Sequence, residues 1–132
     1  MSSPNTFAAT AIVALGGGVG AMLRFHAGRA VNALTGPNTV FPWGTFAINV
    51  AGSLAMGLLA GWLAREGGSE SLRLLLSVGV LGGFTTFSAF SLETALLIER
   101  GLHGLAAVYA LGSVIAGVAG LFIGLSLMRG AA

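Results

Sequence analysis

Four long stretches without a charged side chain decide what this chain can fold into: Phe7 to Leu23, Trp43 to Ala64, Leu74 to Leu92 and Gly104 to Met128. Each is close to the roughly 20 residues that cross a hydrocarbon core. Extended by the apolar residues that flank them, they predict spans over about 7–33, 43–64, 71–98 and 103–128 within one membrane domain, 1–132. The expected class is therefore an all-α integral membrane protein, multi-pass in a plasma (inner) membrane. With 55 % hydrophobic and only 8 % charged residues, the chain has more apolar surface than a soluble domain of this size can hide. No cationic region precedes the first apolar window, and the first Arg of the chain is Arg24, so the window reads as a structural span and not as a cleaved leader.

Several function classes fall away on composition. There is no Cys, hence no disulfide framework and no thiolate metal site. All six cations are Arg and all four anions are Glu, and the arginines are scattered, so a nucleic-acid interface has no clustered basic patch to rest on. No nucleophile–base pair or metal-ligand cluster supports an enzyme. Gly16-Gly17-Gly18 is not a phosphate loop, because no Gly-Lys-Ser/Thr follows.

The third window departs from a plain membrane helix. It contains Gly82-Gly83-Phe84-Thr85-Thr86-Phe87-Ser88-Ala89-Phe90. Paired Gly and β-branched Thr disfavour an uninterrupted helix. Irregular backbone at membrane depth is tolerated only where protein buries it or where it lines a cavity. The segment thus predicts a break in the third span, with freed carbonyls and hydroxyls facing something polar, such as an ion. Beyond the break, Phe84, Phe87 and Phe90 share one helical face, and Thr85, Ser88 and Ser91 form the neighbouring stripe. The rings are either packing or, through their positive edges, solvation for a small anion.

Other polar positions recur at helical spacing. Thr45, Asn49 and Ser53 lie on one face of the second span, and the Asn49 amide offers two donors where lipid offers no partner. The alternative is interhelical glue. Tyr109, Ser113 and Gly117 are spaced four apart in the fourth span, two hydroxyls and one small residue. Arg24, Arg29 and Glu93 are the charges nearest the membrane. Arg24 either sets a positive potential at a pore mouth, snorkels or pairs with Glu93. Glu93 is either a proton carrier or an ion-pair partner. The isolated His26 and His103 suit interface positions. Gly16/Gly20, Gly57/Gly61 and Gly120/Gly124 are pairs that let membrane helices approach closely.

Orientation follows Lys/Arg asymmetry, and here the arginines divide evenly. Arg65, Arg73 and Arg129 fall on the side of the termini; Arg24, Arg29 and Arg100 fall on the other. Either the chain inserts both ways and two copies pair antiparallel, as an inverted repeat does within one chain, or Arg24 and Arg29 lie too deep to count and a weak bias leaves the termini inside.

These residues together resemble the Fluc (CrcB-type) family of small fluoride channels. The resemblance runs through Gly17-Gly18-Val19-Gly20-Ala21-Met22-Leu23-Arg24, Trp43-Gly44-Thr45 to Asn49-Val50-Ala51-Gly52, and Gly79 to Phe90. It implies an antiparallel, dual-topology homodimer with two fluoride pores, used for fluoride resistance. By matched motif, Asn49 would donate to fluoride, and Phe87 and Phe90 would supply ring edges. Thr45 and Ser88 would line the path, Tyr109 and Ser113 would form a hydroxyl track, and Arg24 would stand at its mouth. Carbonyls of Gly82 and Thr85 from both subunits would hold a central structural Na⁺. A third hydroxyl is often found where this chain has Gly117, and water would substitute for it here. The competing class is a proton-coupled exporter of the small multidrug resistance type using Glu93, although that family carries its Glu in the first span. A membrane assembly subunit would explain the glycines but not the hydroxyl–Phe stripes.

Overall fold

The computed structural model describes residues 2–130, and among them every regular element is helical. In chain order they are α1 (Thr6–Thr35), α2 (Trp43–Glu66), α3 (Glu70–Arg73), a π-helix (Leu74–Leu81), α4 (Gly82–Phe84), α5 (Phe87–Glu99) and α6 (His103–Gly130). The elements between Glu70 and Glu99 form one span, so four apolar helical stretches are each long enough to cross a membrane. They make this a multi-pass membrane protein.

Local chemistry sets the ends of these elements. The Asn5 side chain accepts from the Ala8 N–H at 2.8 Å and opens α1. Gly67 closes α2 in the left-handed conformation at φ 67°, which a residue without Cβ adopts freely. Ser69 then caps α3 by accepting from the Leu72 N–H at 3.2 Å. The next eight residues wind as a π-helix, and the Gly82 N–H bonds the Ser77 carbonyl five residues back. Nothing in Leu74 to Leu81 announces that winding; the sequence there reads as ordinary apolar helix.

The 74–84 part of the third span lies chiefly against α1, α2 and α5 lie against α6, and α1 also packs on α2. The first two seams are backbone to backbone. A Cβ on Gly16 would sit 2.6 Å from the Leu75 carbonyl oxygen, and one on Gly20 would run into that of Val80. Across the other seam, a Cβ on Gly57 would strike the Leu121 carbonyl, and one on Gly124 would sit 2.5 Å from that of Leu54. Lipid provides no hydrophobic drive between helices, so close van der Waals approach has to supply it.

The irregular backbone lies a few residues beyond the glycine pair. Gly82 and Gly83 are both helical; the extended residues are Thr85 (φ −81°, ψ 156°) and Thr86 (φ −149°, ψ 119°). Gly83 serves contact instead of flexibility, because a Cβ there would run into the Gly17 carbonyl oxygen.

Gly20→Ala therefore has to push α1 off the π-helix backbone, whereas Gly18, with open space around its Cβ position, is a matched control. Gly20→Ala is expected to lose about 1–3 kcal/mol by overpacking, and Gly18→Ala to be neutral or to gain up to about 1 kcal/mol. Thermal unfolding of the detergent-purified variants measures the difference; equal midpoints would refute the close seam.

Candidate functional site

Two extended residues at membrane depth leave amides and carbonyls that need partners. Asn49, reaching across from α2, supplies them. Its Oδ1 accepts the Thr86 N–H at 2.8 Å, and its Nδ2 donates to the Thr86 carbonyl at 2.9 Å. One side-chain amide thus stands in for a rung of β-sheet and uses only one of its two amide N–H groups. The Thr86 hydroxyl accepts from the Ala89 N–H at 3.2 Å and caps α5. The Thr85 hydroxyl bonds back to the Leu81 carbonyl at 2.9 Å. Arg24 donates through Nη1 to the Thr85 carbonyl at 3.4 Å, placing its charge at the C-terminal end of the 70–84 arm of the third span, where the helix dipole favours a cation.

Diversion of the Thr86 N–H has a further result. In a continuous helix it would bond the Gly82 carbonyl four residues back. Bonded to Asn49 instead, it leaves the Gly82 oxygen without its helical donor.

Beside the clamp is a cavity of about 330 Å³ lined by Asn49, Ser53, Thr85, Thr86, Phe87, Phe90 and Ser113, among others, with no ionisable side chain in its wall. The Phe87 and Phe90 rings are 5.6 Å apart and tilted by 43°. Phe87 is 78 % exposed in the single chain, so its ring is open to whatever covers this face. Ser113 Oγ is buried with no hydrogen-bond partner. A buried hydroxyl left unpaired costs about 1–3 kcal/mol.

A second, larger cavity of about 680 Å³ lies toward the α1–α2 connection, with Asn32, Thr39, Thr45, Glu93 and Arg100 in its wall. Here Glu93 draws two helices together. Thr45 donates to its Oε1 and Tyr109 to its Oε2, each at 2.7 Å. Tyr109 is fully buried with Leu97 and Ala106, and its ring lies 5.2 Å from that of Phe90.

The sequence-derived positions therefore divide. Asn49, Phe87, Phe90 and Ser113 share the smaller cavity, whereas Thr45 and Tyr109 meet on Glu93 next to it. Ser88 is exposed, and its hydroxyl lies 3.4 Å from that of Thr86. Arg24 is on the Thr85 carbonyl and not on Glu93. Thr86, central to the geometry, went unassigned in the sequence, although a Thr just before a helical pattern is a helix-start signal. The joining role of Glu93 was also missed, because its partners lie 48 and 16 residues away.

Among the described residues no group of His, Asp or Glu is placed to hold a metal.

The chain is similar to known proteins over most of its length. A family model described as CrcB-like protein, Camphor Resistance (CrcB), matches residues 11–125. A protein of Novosphingobium aromaticivorans named fluoride-specific ion channel FluC is 77 % identical over 124 residues, covering 94 % of this chain and 98 % of the relative. One of the same name from Rhodopseudomonas palustris is 57 % identical over 119 residues, covering 89 % and 94 %. A FluC 2 of Nitrobacter hamburgensis is 56 % identical over 121 residues.

Thr86→Val keeps the side-chain shape and the Asn49 clamp but removes the cap on α5. The expected cost is about 1 kcal/mol, with faster hydrogen exchange at the Ala89 amide than at amides in the middle of α6. Unchanged exchange at Ala89 would show that the cap is dispensable.

Proposed function

The chain belongs to the CrcB-like family, and from that premise we infer that it is a fluoride-specific ion channel. It is not an enzyme. It exports cytoplasmic fluoride down its electrochemical gradient, which confers fluoride resistance. The observation that carries this reading is the smaller cavity: Asn49, two serine hydroxyls and the rings of Phe87 and Phe90 line it, and no fixed charge does. Fluoride is small and strongly hydrated, so a narrow path must replace its water with donors. Conduction also requires binding weak enough to release the ion. An Arg or Lys inside the cavity would hold it; the free N–H of Asn49, the Ser113 hydroxyl and the edges of Phe87 and Phe90 would not. Arg24, withdrawn onto the Thr85 carbonyl, sets a positive potential nearby without occupying the path. Thr45, Tyr109 and Ser88 lie along its approaches.

The exporter reading is not favoured. It needs a carboxylate free to exchange a proton for a substrate, and both Glu93 oxygens already accept hydroxyls.

The working unit we propose is an antiparallel, dual-topology homodimer in the inner membrane. Support comes from the even division of the arginines and from the exposed Phe87 beside an open cavity. A structural Na⁺ fits the same unit. Hard cations take oxygen ligands, the Gly82 carbonyl lacks its helical donor, and the Thr85 carbonyl accepts only a long bond from Arg24. Two such oxygens from each protomer would hold it, and its chemistry there is a fixed charge tying the two third spans together.

Reconstituted into vesicles, the protein is expected to release fluoride but not chloride without an imposed proton gradient. Fluoride-electrode recording tests this, and release that needs a proton gradient would favour exchange. Phe87→Ile and Phe90→Ile keep apolar bulk and remove the positive ring edge, so each is expected to slow efflux on the order of tenfold. Parental rates in both would make the rings packing alone.

Adding two Lys to the Glu66–Ser69 loop should bias insertion and reduce activity when that variant is expressed alone. Full activity with a single orientation, shown by labelling of the termini, would exclude the antiparallel pair.

A further inference from the structure

Several hydroxyls on the long helices bond to their own helix. Thr10, Thr35, Ser91 and Thr94 each donate to the carbonyl four residues back, at 2.8 to 3.1 Å. Two that line the smaller cavity have no hydrogen-bond partner among the described residues. Ser113 Oγ is buried without a partner. Ser53 is half-buried on α2, one turn beyond Asn49 on the same face, and among the described residues nothing hydrogen-bonds to it. Both line the smaller cavity.

Gly117, one turn after Ser113 on α6, faces Ser53 directly. A Cβ built on it would lie 3.4 Å from Ser53 Oγ, and no other neighbour comes within 4 Å. Gly117 sits inside a regular helix, where glycine costs about 1 kcal/mol relative to alanine. Neither a positive φ nor a close backbone contact calls for it. The volume it leaves open is the volume next to the Ser53 hydroxyl.

We propose that Ser53 is a further residue of the fluoride path, donating its hydroxyl to the ion alongside Ser113 and the free N–H of Asn49, with Gly117 as the gap that keeps that hydroxyl accessible. The assignment rests on the channel reading. A hydroxyl without a protein acceptor at this depth must give its proton to something in the cavity, either water or the anion that replaces it. Together the three donors offer fluoride one amide and two hydroxyls, contributed by α2 and α6. They also supply from α2 the hydroxyl that α6 lacks at position 117.

The test is fluoride efflux from vesicles, begun with the parent protein and followed by variants checked for the same oligomeric state by size-exclusion chromatography. Ser53→Ala is expected to slow efflux about tenfold, the value of a hydrogen bond to a charged acceptor. Ser53→Thr and Ser53→Val have nearly the same shape, so Thr running faster than Val by a similar factor reads the hydroxyl apart from bulk. Gly117→Ser added to Ser53→Ala should recover most of the lost rate by restoring a hydroxyl to the same space, which a purely structural Ser53 would not allow. Parental efflux in Ser53→Ala, equal rates for Thr and Val, or a double variant no faster than Ser53→Ala would each overturn the assignment while leaving the channel intact. A parent that releases no fluoride would overturn the channel reading, and this assignment with it.

Discussion

A peptide that leaves the helical path inside lipid has to be paired by something other than water, and at Thr86 a single amide side chain does this. Asn49 pairs the Thr86 N–H that a continuous helix would have bonded to Gly82, and adds a donor to the Thr86 carbonyl. Much of the site's geometry depends on that exchange. It frees the Gly82 carbonyl, lets Thr86 restart α5 with its own hydroxyl, and sets Phe87 and Phe90 on the wall of a cavity that Asn49 also lines. Without the clamp the Thr86 N–H would be left unpaired in a low-dielectric medium, at a cost of about 1–3 kcal/mol. An Asp at this position could take the Thr86 N–H but would oppose the Thr86 carbonyl, so the amide is needed for its mixed donor and acceptor character.

The electrostatics are arranged around the cavity and not within it. Arg24 is drawn to one carbonyl at its edge, and Glu93 is enclosed by Thr45 and Tyr109 at the neighbouring vestibule. A formal charge in the path would dominate a passing ion at close range, since an unscreened unit charge in a dry interior interacts far more strongly than in water. Hydroxyls, an amide and ring edges act more weakly and at short range. The glycine seams contribute by bringing helix backbones into contact, which leaves the polar side chains little room to choose other partners.

How much of this was legible in the sequence depends on whether the cause is local. The four spans were, because bilayer thickness imposes a length that composition reveals. Asn49, Phe87, Phe90 and Ser113 were legible as polar or aromatic exceptions at helical spacing, and they lie on one cavity. The position of the extended residues was not. Propensity marks Gly82-Gly83 and the threonines alike, yet the glycines are helical and the chain opens at Thr85 and Thr86, where a partner 37 residues away pairs the exposed groups. The same limit explains Thr45 and Tyr109: their spacing was visible, but the carboxylate on which they meet lies on another helix. The π-helix left no trace in residue types.

The third span is packed by two different hosts, its first arm by α1 and its second by α6, with only two extended residues between them. In evolutionary terms the span behaves as two modules on one string. Substitutions that reshape the α1 seam are felt at the Gly82 and Thr85 carbonyls, and those that reshape the α6 seam are felt at the phenylalanines. The two halves meet at a peptide that a third helix holds, since Asn49 on α2 pairs the Thr86 backbone where the arms join.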